Sequence, residues 1–262
     1  MKALVTGGTG GIGLAMSDSL AKRGYDLLIV SRKEGSIEEL RKKYPDRKID
    51  FASYDLSDEK ECFRLLDETR DMDFDIFVNN AGFGDIGKLT ETDTNKEIKM
   101  IKLNDIATVI LVKNFLRRFI AKGKGRVLTV ASAAAFGPAP YMTVYYSTKT
   151  FVYYLAHGYY RELKDYKSKV TISVLCPGPV KTDFENKANC HFTIGSLYPE
   201  KVGELAIKKT LKGKLTIVPG FKIKLAHLFS HFVPKKFISK VLNKSAEIGK
   251  FWEIGLYLIV GY

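Results

Sequence analysis

Cysteine is scarce in this sequence, and its few positions exclude two common kinds of site. The 262 residues include three cysteines, Cys62, Cys176 and Cys190. They form no CxxC pair and have no histidine at a spacing typical of a metal site. A sparse, odd set of cysteines is typical of proteins from a reducing compartment. We therefore expect three reduced thiols, no disulfide framework and no bound metal.

Long apolar runs are also lacking. No run reaches the roughly 18 residues that would predict a membrane-spanning helix. A strand pattern begins at Lys2, which leaves no room for a cleavable N-terminal signal. The composition, 45% hydrophobic and 27% charged, is that of a folded protein rather than a disordered one. These features predict one folded domain over residues 1–262, located in the cytoplasm.

Acidic residues are few relative to basic ones, which gives a formal net charge of +13. The segment from Lys208 to Lys250 holds eleven lysines and one acid, Glu247. Such a segment can be a solvated surface, or it can attract anionic lipid, nucleic acid or a phosphate-bearing substrate. No nucleic-acid recognition motif accompanies the charge, so we expect no nucleic-acid partner.

Short apolar runs alternate with helical patterns along the chain. Strands are predicted at 2–6, 26–31, 48–53, 75–79, 126–132, 170–176 and 214–218, and helices at 12–23, 36–44, 58–70, 94–122, 143–165 and 199–210. Strands that are apolar throughout and separated by helices indicate a parallel sheet covered on both faces. This pattern predicts a doubly wound α/β fold of about seven strands, with ligands at their carboxyl ends. The basic, apolar segment 220–262 is expected to be a helical extension of this domain.

A glycine-rich turn, Thr-Gly-Gly-Thr-Gly-Gly-Ile-Gly over residues 6–13, joins the first strand to the first helix. Glycine lets the backbone turn tightly and approach a ligand without obstruction by a Cβ atom. The helix N-terminus then offers unpaired N–H groups and a partial positive charge to an anion. The turn therefore predicts a diphosphate-binding site.

A second motif carries acid–base groups. Tyr145 and Lys149 are four residues apart on a predicted helix and so share one face. The lysine cation favours the phenolate, which lowers the tyrosine pKa from its ordinary value of about 10 toward neutrality. Ser132 ends the fifth predicted strand, close enough along the chain for its hydroxyl to join them.

Together these motifs resemble the short-chain dehydrogenase/reductase family, whose fingerprint is TGxxxGIG followed by a serine and YxxxK. The matching motifs run from Thr6 to Thr182. The resemblance implies a Rossmann-type fold and hydride transfer between a nicotinamide and a carbonyl or secondary alcohol. It also implies a homodimer or homotetramer.

The resemblance assigns a role to each catalytic residue. Tyr145 gives or takes the proton, Lys149 tunes it and binds the nicotinamide ribose, and Ser132 holds the substrate oxygen. Asn104 supports a proton relay behind the lysine. The cofactor-binding residues that the resemblance implies are Gly7, Thr9, Gly11, Ile12, Gly13, Ser31, Arg32, Asp55, Leu56, Asn80, Ala81, Gly82, Tyr145, Lys149, Pro177, Gly178, Val180 and Thr182.

The end of the second strand favours NADP(H) over NAD(H). An acid at this position binds the ribose 2′-hydroxyl of NAD, whereas an arginine suits the 2′-phosphate of NADP. This chain has Ser31 and Arg32 there. Gly10 stands where some NADP-binding relatives carry a second basic residue.

The substrate is expected to be lipophilic, such as a ketoacyl chain, a steroid-like ketone or a long-chain alcohol, with residues 183–198 as its lid. Two alternatives are a reductase docked weakly on anionic membranes through its basic tail and a non-catalytic NADP(H)-binding regulator.

His157 and the tyrosines at 153, 154, 159 and 160 are interpreted as packing or interface residues. His191, in the predicted lid, is not assigned as a substrate contact, and His227 and His231 are a pair without a third metal ligand.

Overall fold

The computed structural model describes residues 1–166, 168–182 and 197–247, with side chains as far as Asn243. Most of the predicted lid, including Cys190 and His191, and the segment from 248 onward lie outside these residues. The elements are β1 (Lys2–Thr6), α1 (Gly11–Ala21), β2 (Asp26–Ser31), α2 (Ile37–Lys43), β3 (Ile49–Ser53), α3 (Glu59–Glu68), β4 (Ile76–Asn79), α4 (Thr94–Ile101), a π-helical segment (Lys102–Ile106), α5 (Ala107–Lys122), β5 (Lys124–Val130), a 3₁₀ turn (Ala133–Phe136), α6 (Thr143–Asp165), β6 (Lys169–Leu175), α7 (Pro199–Leu211), β7 (Thr216–Ile217), α8 (Phe221–Phe229) and α9 (Lys235–Glu247).

The strands form one parallel sheet of seven, in the order β3-β2-β1-β4-β5-β6-β7. One apolar layer packs between the sheet and α3, α5 and α6, and a second between the sheet and α1, α2 and α7. The doubly wound α/β prediction is thus confirmed. The strand order reverses between β1 and β4, and a crevice opens at that point in folds of this kind.

Most predicted elements agree with the structure to within one or two residues, and three differ for identifiable physical reasons. The single helix predicted over 94–122 is interrupted by the π-helical segment 102–106. The strand predicted over 126–132 ends at Val130, because Ser132 instead begins the 3₁₀ turn by accepting a hydrogen bond from the Ala134 N–H. The strand predicted over 214–218 pairs only through Thr216 and Ile217, and Pro219, which has no N–H to donate, follows soon after.

Helices α8 and α9 pack on the sheet's carboxyl-end side. The Ile223 side chain lies where a Cβ on Gly178 would be 2.9 Å away, and Ile238 approaches Gly137 similarly closely. The His227 imidazole is hydrogen-bonded to the Tyr153 hydroxyl at 3.1 Å. Among the described residues, no helix has the length and apolar character that a bilayer crossing requires.

Candidate active site

A cleft of about 470 Å³ opens at the carboxyl ends of the strands, beside the break between β1 and β4. Ser132 and every residue predicted to bind the cofactor contribute to its wall. Asn104 alone of the predicted site residues does not, because it is buried behind the wall. The fold therefore brings together groups that are up to 175 positions apart in the sequence, from Gly7 to Thr182.

The glycine turn forms a cradle that only glycine can build. Gly7 adopts a positive φ of 63°, and a Cβ on Gly13 would lie 2.0 Å from the Gly7 carbonyl oxygen. A Cβ on Gly10 would meet nothing within 4 Å, so the backbone faces open space there. Gly10 is also the N-cap of α1 and has no side chain to satisfy the first N–H groups. These donors fit a diphosphate.

Thr6 and Asn80 tie this turn to the end of β4. The Thr6 hydroxyl accepts the N–H groups of Asn80 and Ala81 at 2.9 and 3.1 Å. The Asn80 amide in turn donates to the carbonyl oxygens of Thr6 and Gly7 at 3.1 and 3.0 Å. The position of the glycine turn thus depends on contacts across the crevice, which the fingerprint alone does not reveal.

The end of β2 presents two cations and no free acid to the cleft. Arg32 and Lys33 are both exposed on its wall. The Glu34 carboxylate, next along the chain, accepts a hydrogen bond from Arg41 at 2.8 Å instead. The Thr9 hydroxyl donates to the Ser31 hydroxyl at 3.2 Å and closes the rim. Lys33 was missed by sequence reasoning, although it follows Arg32 directly.

Asp55 is the only acid on the described wall, and its charge is already engaged. Its carboxylate accepts the Ser57 hydroxyl at 2.6 Å and the Lys99 ammonium at 3.3 Å. Although partial burial raises it, these hydrogen bonds hold the pKa of Asp55 below its ordinary value. Asp55 therefore presents to the cleft an ionised carboxylate whose charge is compensated by the Lys99 ammonium.

At the other end of the cleft, α6 presents Tyr145 and Lys149 from one face, as their spacing predicts. Both are buried, and the Lys149 Nζ lies 5.8 Å from the Tyr145 ring centroid. The ammonium donates to the Val130 carbonyl oxygen at 3.2 Å, at the end of β5. The Ser132 hydroxyl lines the same wall, 3.5 Å from the Pro177 carbonyl oxygen to which it donates. A phenol, an ammonium and a hydroxyl are thus gathered beside the glycine cradle.

A family model described as short chain dehydrogenase matches residues 1–191, well over half of the chain. The chain belongs to the short-chain dehydrogenase/reductase family. Its members are oxidoreductases with a nucleotide-binding Rossmann fold, so the predicted fold and family are both confirmed.

Three relatives show the range of the family around this chain. "Uncharacterized oxidoreductase YvaG" of Bacillus subtilis (strain 168) is 30% identical over 203 residues, which cover 75% of this chain and 73% of that protein. A very-long-chain 3-oxoacyl-CoA reductase of Bos taurus is 28% identical over 65% of this chain and 56% of its own length. A 7beta-hydroxysteroid dehydrogenase of Clostridium sardiniense is 26% identical over 76% and 78%.

Two solved structures share the fold. The alcohol dehydrogenase of the archaeon Thermococcus sibiricus, complexed with 5-hydroxy-NADP, is 26% identical with a TM-score of 0.70 and covers 83% of this chain and 94% of that chain. A short-chain dehydrogenase/reductase of Burkholderia phymatum in complex with NAD is 20% identical with a TM-score of 0.77, covering 88% and 94%. Both forms of the dinucleotide thus occur in proteins of this fold.

In this short-chain dehydrogenase, Asn104 lies in the π-helical segment. Short π-helical segments within α-helices often occur at functional sites. Its amide donates to the Phe83 carbonyl oxygen at 2.9 Å and to the Thr148 hydroxyl at 3.0 Å. A Cβ on Gly82 would lie 2.8 Å from the Asn104 Oδ1 and 3.3 Å from the Lys149 Nζ. Gly82 therefore lets the asparagine and the lysine approach each other.

Asp105 is a half-buried acid that sequence reasoning missed. Burial raises the pKa of its carboxyl to about 7, although the Lys149 cation lowers it. Burial lowers the pKa of Lys149 to about 8, and the Asp105 carboxylate opposes that change. The Asp105 Oδ1 has no hydrogen-bond partner within the described part of the chain. The signal available in the sequence was an acid directly after Asn104 and just before the largely apolar run 106–112.

We expect Asp105→Asn to stabilise the protein more at pH 8 than at pH 5. The pKa of Asp105 in the folded protein is about 7, above the ordinary value near 3.9 that applies to the unfolded chain. The stability that protonation of this carboxyl contributes is therefore complete below about pH 3.9 and is lost as the pH rises through 7. Removing this half-buried charge should add about 2 kcal/mol to the free energy of unfolding at pH 8, after allowance for solvent screening, and less than half of that at pH 5. Urea unfolding at both pH values measures this.

The matched control for that prediction is Asp46→Asn, which changes an exposed carboxylate in the loop after α2. It should leave the stability unchanged at both pH values. An equal effect of Asp105→Asn at pH 5 and pH 8, or a loss of stability at pH 8, would contradict the assignment.

In the described residues, packing positions are taken by His157, His227, Cys62 and Cys176, whereas His231 is exposed. The His157 imidazole is hydrogen-bonded to the Thr216 hydroxyl at 3.0 Å, and burial lowers its pKa. No group of three potential metal ligands occurs among the described residues, His227 and His231 included. Cys62 and Cys176 are buried free thiols, and burial raises the pKa of both.

Proposed function

We propose that this protein is an NADP(H)-dependent oxidoreductase that interconverts a lipophilic ketone and its secondary alcohol. The observation that carries the proposal is the gathering of Ser132, Tyr145 and Lys149 at one end of a cleft whose other end is a glycine cradle. A non-catalytic NADP(H)-binding regulator would not need these three groups together.

Each residue has a task that its position supports. When bound, the nicotinamide supplies or accepts the hydride at the substrate carbon. The Tyr145 phenol gives a proton to the oxygen of a ketone or takes it from an alcohol, and the Ser132 hydroxyl orients that oxygen. The Lys149 cation favours the phenolate and binds the ribose. Asn104 holds the helix segment behind Lys149 and supports the path by which the proton is replaced.

The preference for NADP(H) is supported by the charges at the end of β2. Arg32 and Lys33 are exposed there, and the nearby acids Glu34 and Asp55 are held by Arg41, Ser57 and Lys99. The guanidinium of an arginine can grip a 2′-phosphate with two parallel hydrogen bonds. Solved structures of this fold hold either 5-hydroxy-NADP or NAD, so the preference is proposed from the charges at the end of β2.

A lipophilic substrate is supported by the apolar side chains around Tyr145. Phe83, Leu103 and Met142 line this end of the cleft. The only acid on the described cleft wall is Asp55, which follows β3, whereas Ser132 follows β5 and Tyr145 lies on α6. Two relatives act, by their names, on a very-long-chain 3-oxoacyl-CoA and on a hydroxysteroid. The cytoplasmic location and the homodimer or homotetramer that the sequence predicts remain part of this proposal, and the buried free thiols fit a reducing compartment.

A panel assay tests the function. Ketones with NADPH and secondary alcohols with NADP⁺ are presented in parallel, in short-chain and long-chain or steroid-like forms, and the absorbance of the reduced nicotinamide is followed. We expect turnover of bulky or long-chain ketones, with kcat/KM higher for NADPH than for NADH. Turnover restricted to small polar substrates, or faster turnover with NADH, would overturn the corresponding part of the proposal.

A further inference from the structure

Large apolar side chains are exposed on the C-terminal surface, which we define as α8, the turn 230–234 and α9 through Asn243. Phe221 and Phe232 are each 78% exposed, Leu228 is 57% exposed and Phe237 is 48% exposed. Single exposed apolar residues are ordinary, but several large apolar side chains exposed along two consecutive helices and the turn between them indicate an interaction site.

Helical geometry explains which side chains of α8 point away from the protein. Ile223 and His227, four residues apart, face inward, toward Gly178 and Tyr153. At about 100° per residue, Phe221 and Leu228 then fall on the outer side of the helix, where the core does not need them. Phe221 and Leu228 are therefore exposed because they lie on the face of α8 opposite the one that packs on the protein.

The same surface carries a high density of positive charge. Between Glu204 and Glu247 the sequence has ten lysines and no acid. Lys222, Lys224, Lys236 and Lys240 are exposed, and none of them forms a salt bridge with a described residue. A surface of exposed phenylalanines among free lysines is typical of a helix that lies in a membrane interface.

We propose that the C-terminal surface docks this protein on an anionic lipid bilayer. The lysines complement acidic headgroups, and the phenylalanines and Leu228 enter the boundary between headgroups and acyl chains. A second copy of the chain is disfavoured, because a symmetric contact would place the two lysine clusters against each other. A nucleic acid is disfavoured by the absence of arginine between residues 205 and 246 and by an outer face that includes leucine.

The docking surface is also part of the wall behind the active site. Ile223 packs against Gly178, which lines the cleft, and Leu242 packs on the cluster that contains Tyr145 and Tyr146. Lipid contact on the outer side of these helices therefore places the substrate end of the cleft at the bilayer surface. Resting on the proposed function, this assigns the substrate class: a carbonyl-bearing lipid that resides in the membrane.

Vesicle flotation of the full-length protein tests the docking without reference to activity. Vesicles of phosphatidylcholine alone are compared with vesicles that contain phosphatidylglycerol, at low and high salt. We expect binding to the anionic vesicles that falls as salt is added. Absence of binding to anionic vesicles at low salt, or equal binding to both compositions, would overturn the proposal.

Two variants separate the charged and apolar contributions. Lys222→Gln with Lys224→Gln should weaken binding about 25-fold, at about fivefold per lysine. Phe221→Ser with Phe232→Ser should weaken binding even at low salt. The control, Lys42→Gln with Lys60→Gln, changes two exposed lysines elsewhere and should bind normally. Unchanged vesicle binding by both C-terminal variants would overturn the assignment. So would a loss of DNA binding or of dimerisation in these variants if they still bound vesicles.

Turnover then distinguishes this inference from the proposed function. Both C-terminal variants should reduce a water-soluble bulky ketone as fast as the unmodified protein, but should lose at least tenfold in rate on a long-chain ketone held in anionic vesicles. Failure of the unmodified protein on the soluble ketone contradicts the proposed function alone. Equal loss of both activities in the variants contradicts the membrane-borne substrate.

Discussion

Tyr145→Phe should lower kcat by a factor on the order of 10³ while NADPH binds as tightly as before. The phenylalanine keeps the ring that packs among Met142 and Tyr146 in the buried cluster, so the fold should be unaffected. Only the hydroxyl is lost, and with it the group that exchanges a proton with the substrate oxygen. Steady-state turnover, together with NADPH titration by fluorescence, measures the two effects separately.

The matched control for this variant is Tyr154→Phe, which removes a hydroxyl from the outer face of the same helix, where the side chain is 65% exposed. It should leave kcat within a factor of about two, as expected for a surface change. If Tyr145→Phe kept most of its activity, the acid would have to be another group. A parallel loss of NADPH affinity would instead indicate a structural role for the hydroxyl.

Arg32→Asp should reverse the cofactor preference. It removes a guanidinium from the 2′-phosphate position and adds a carboxylate that repels the phosphate but can accept a hydrogen bond from a ribose 2′-hydroxyl. A charge-assisted hydrogen bond contributes about 1.5–3 kcal/mol, so we expect kcat/KM for NADPH to fall about 100-fold. The value for NADH should stay within a few-fold or rise. Initial rates with both cofactors at several concentrations measure this.

Lys42→Asp is the control for Arg32→Asp, since it reverses an exposed charge on α2 away from the cleft. It should change both cofactors equally and slightly. Equal losses for NADPH and NADH in Arg32→Asp would show that the guanidinium does not contact the 2′-phosphate, and Lys33 would then be the next candidate.

Most of the fold was predictable because its signals are local. Seven apolar strands and the helices between them can be read from periodicity, and α6 begins and ends where the pattern predicts, at Thr143 and Asp165. Strand ends were less accurate. Backbone hydrogen bonds to the segment after β6 continue beyond Val130, from the Ala131 N–H to the Leu175 carbonyl oxygen and from the Ala133 N–H to the Pro177 carbonyl oxygen. Hydropathy alone therefore does not show where β5 ends.

The residues of the candidate site also divide into those that local sequence signals reveal and those that they do not. Glycine spacing and the Tyr145–Lys149 pair are visible in the sequence because each depends on positions a few residues apart. Asp105 and Lys33 were missed for different reasons. Lys33 carried a local signal beside Arg32, whereas the importance of Asp105 arises from its proximity to Lys149, forty-four positions away.

The sequence by itself determined the parallel α/β architecture, the glycine cradle and the acid–base motif, because backbone freedom and helical spacing are properties of neighbouring residues. Only the tertiary structure decided that Asn104 lies in a π-helical segment behind Gly82, that Asp105 shares a low-polarity environment with Lys149, and which faces of α8 and α9 remain exposed. Burial and charge pairing are set by what the fold places around a side chain, and residues distant in the chain supply those surroundings.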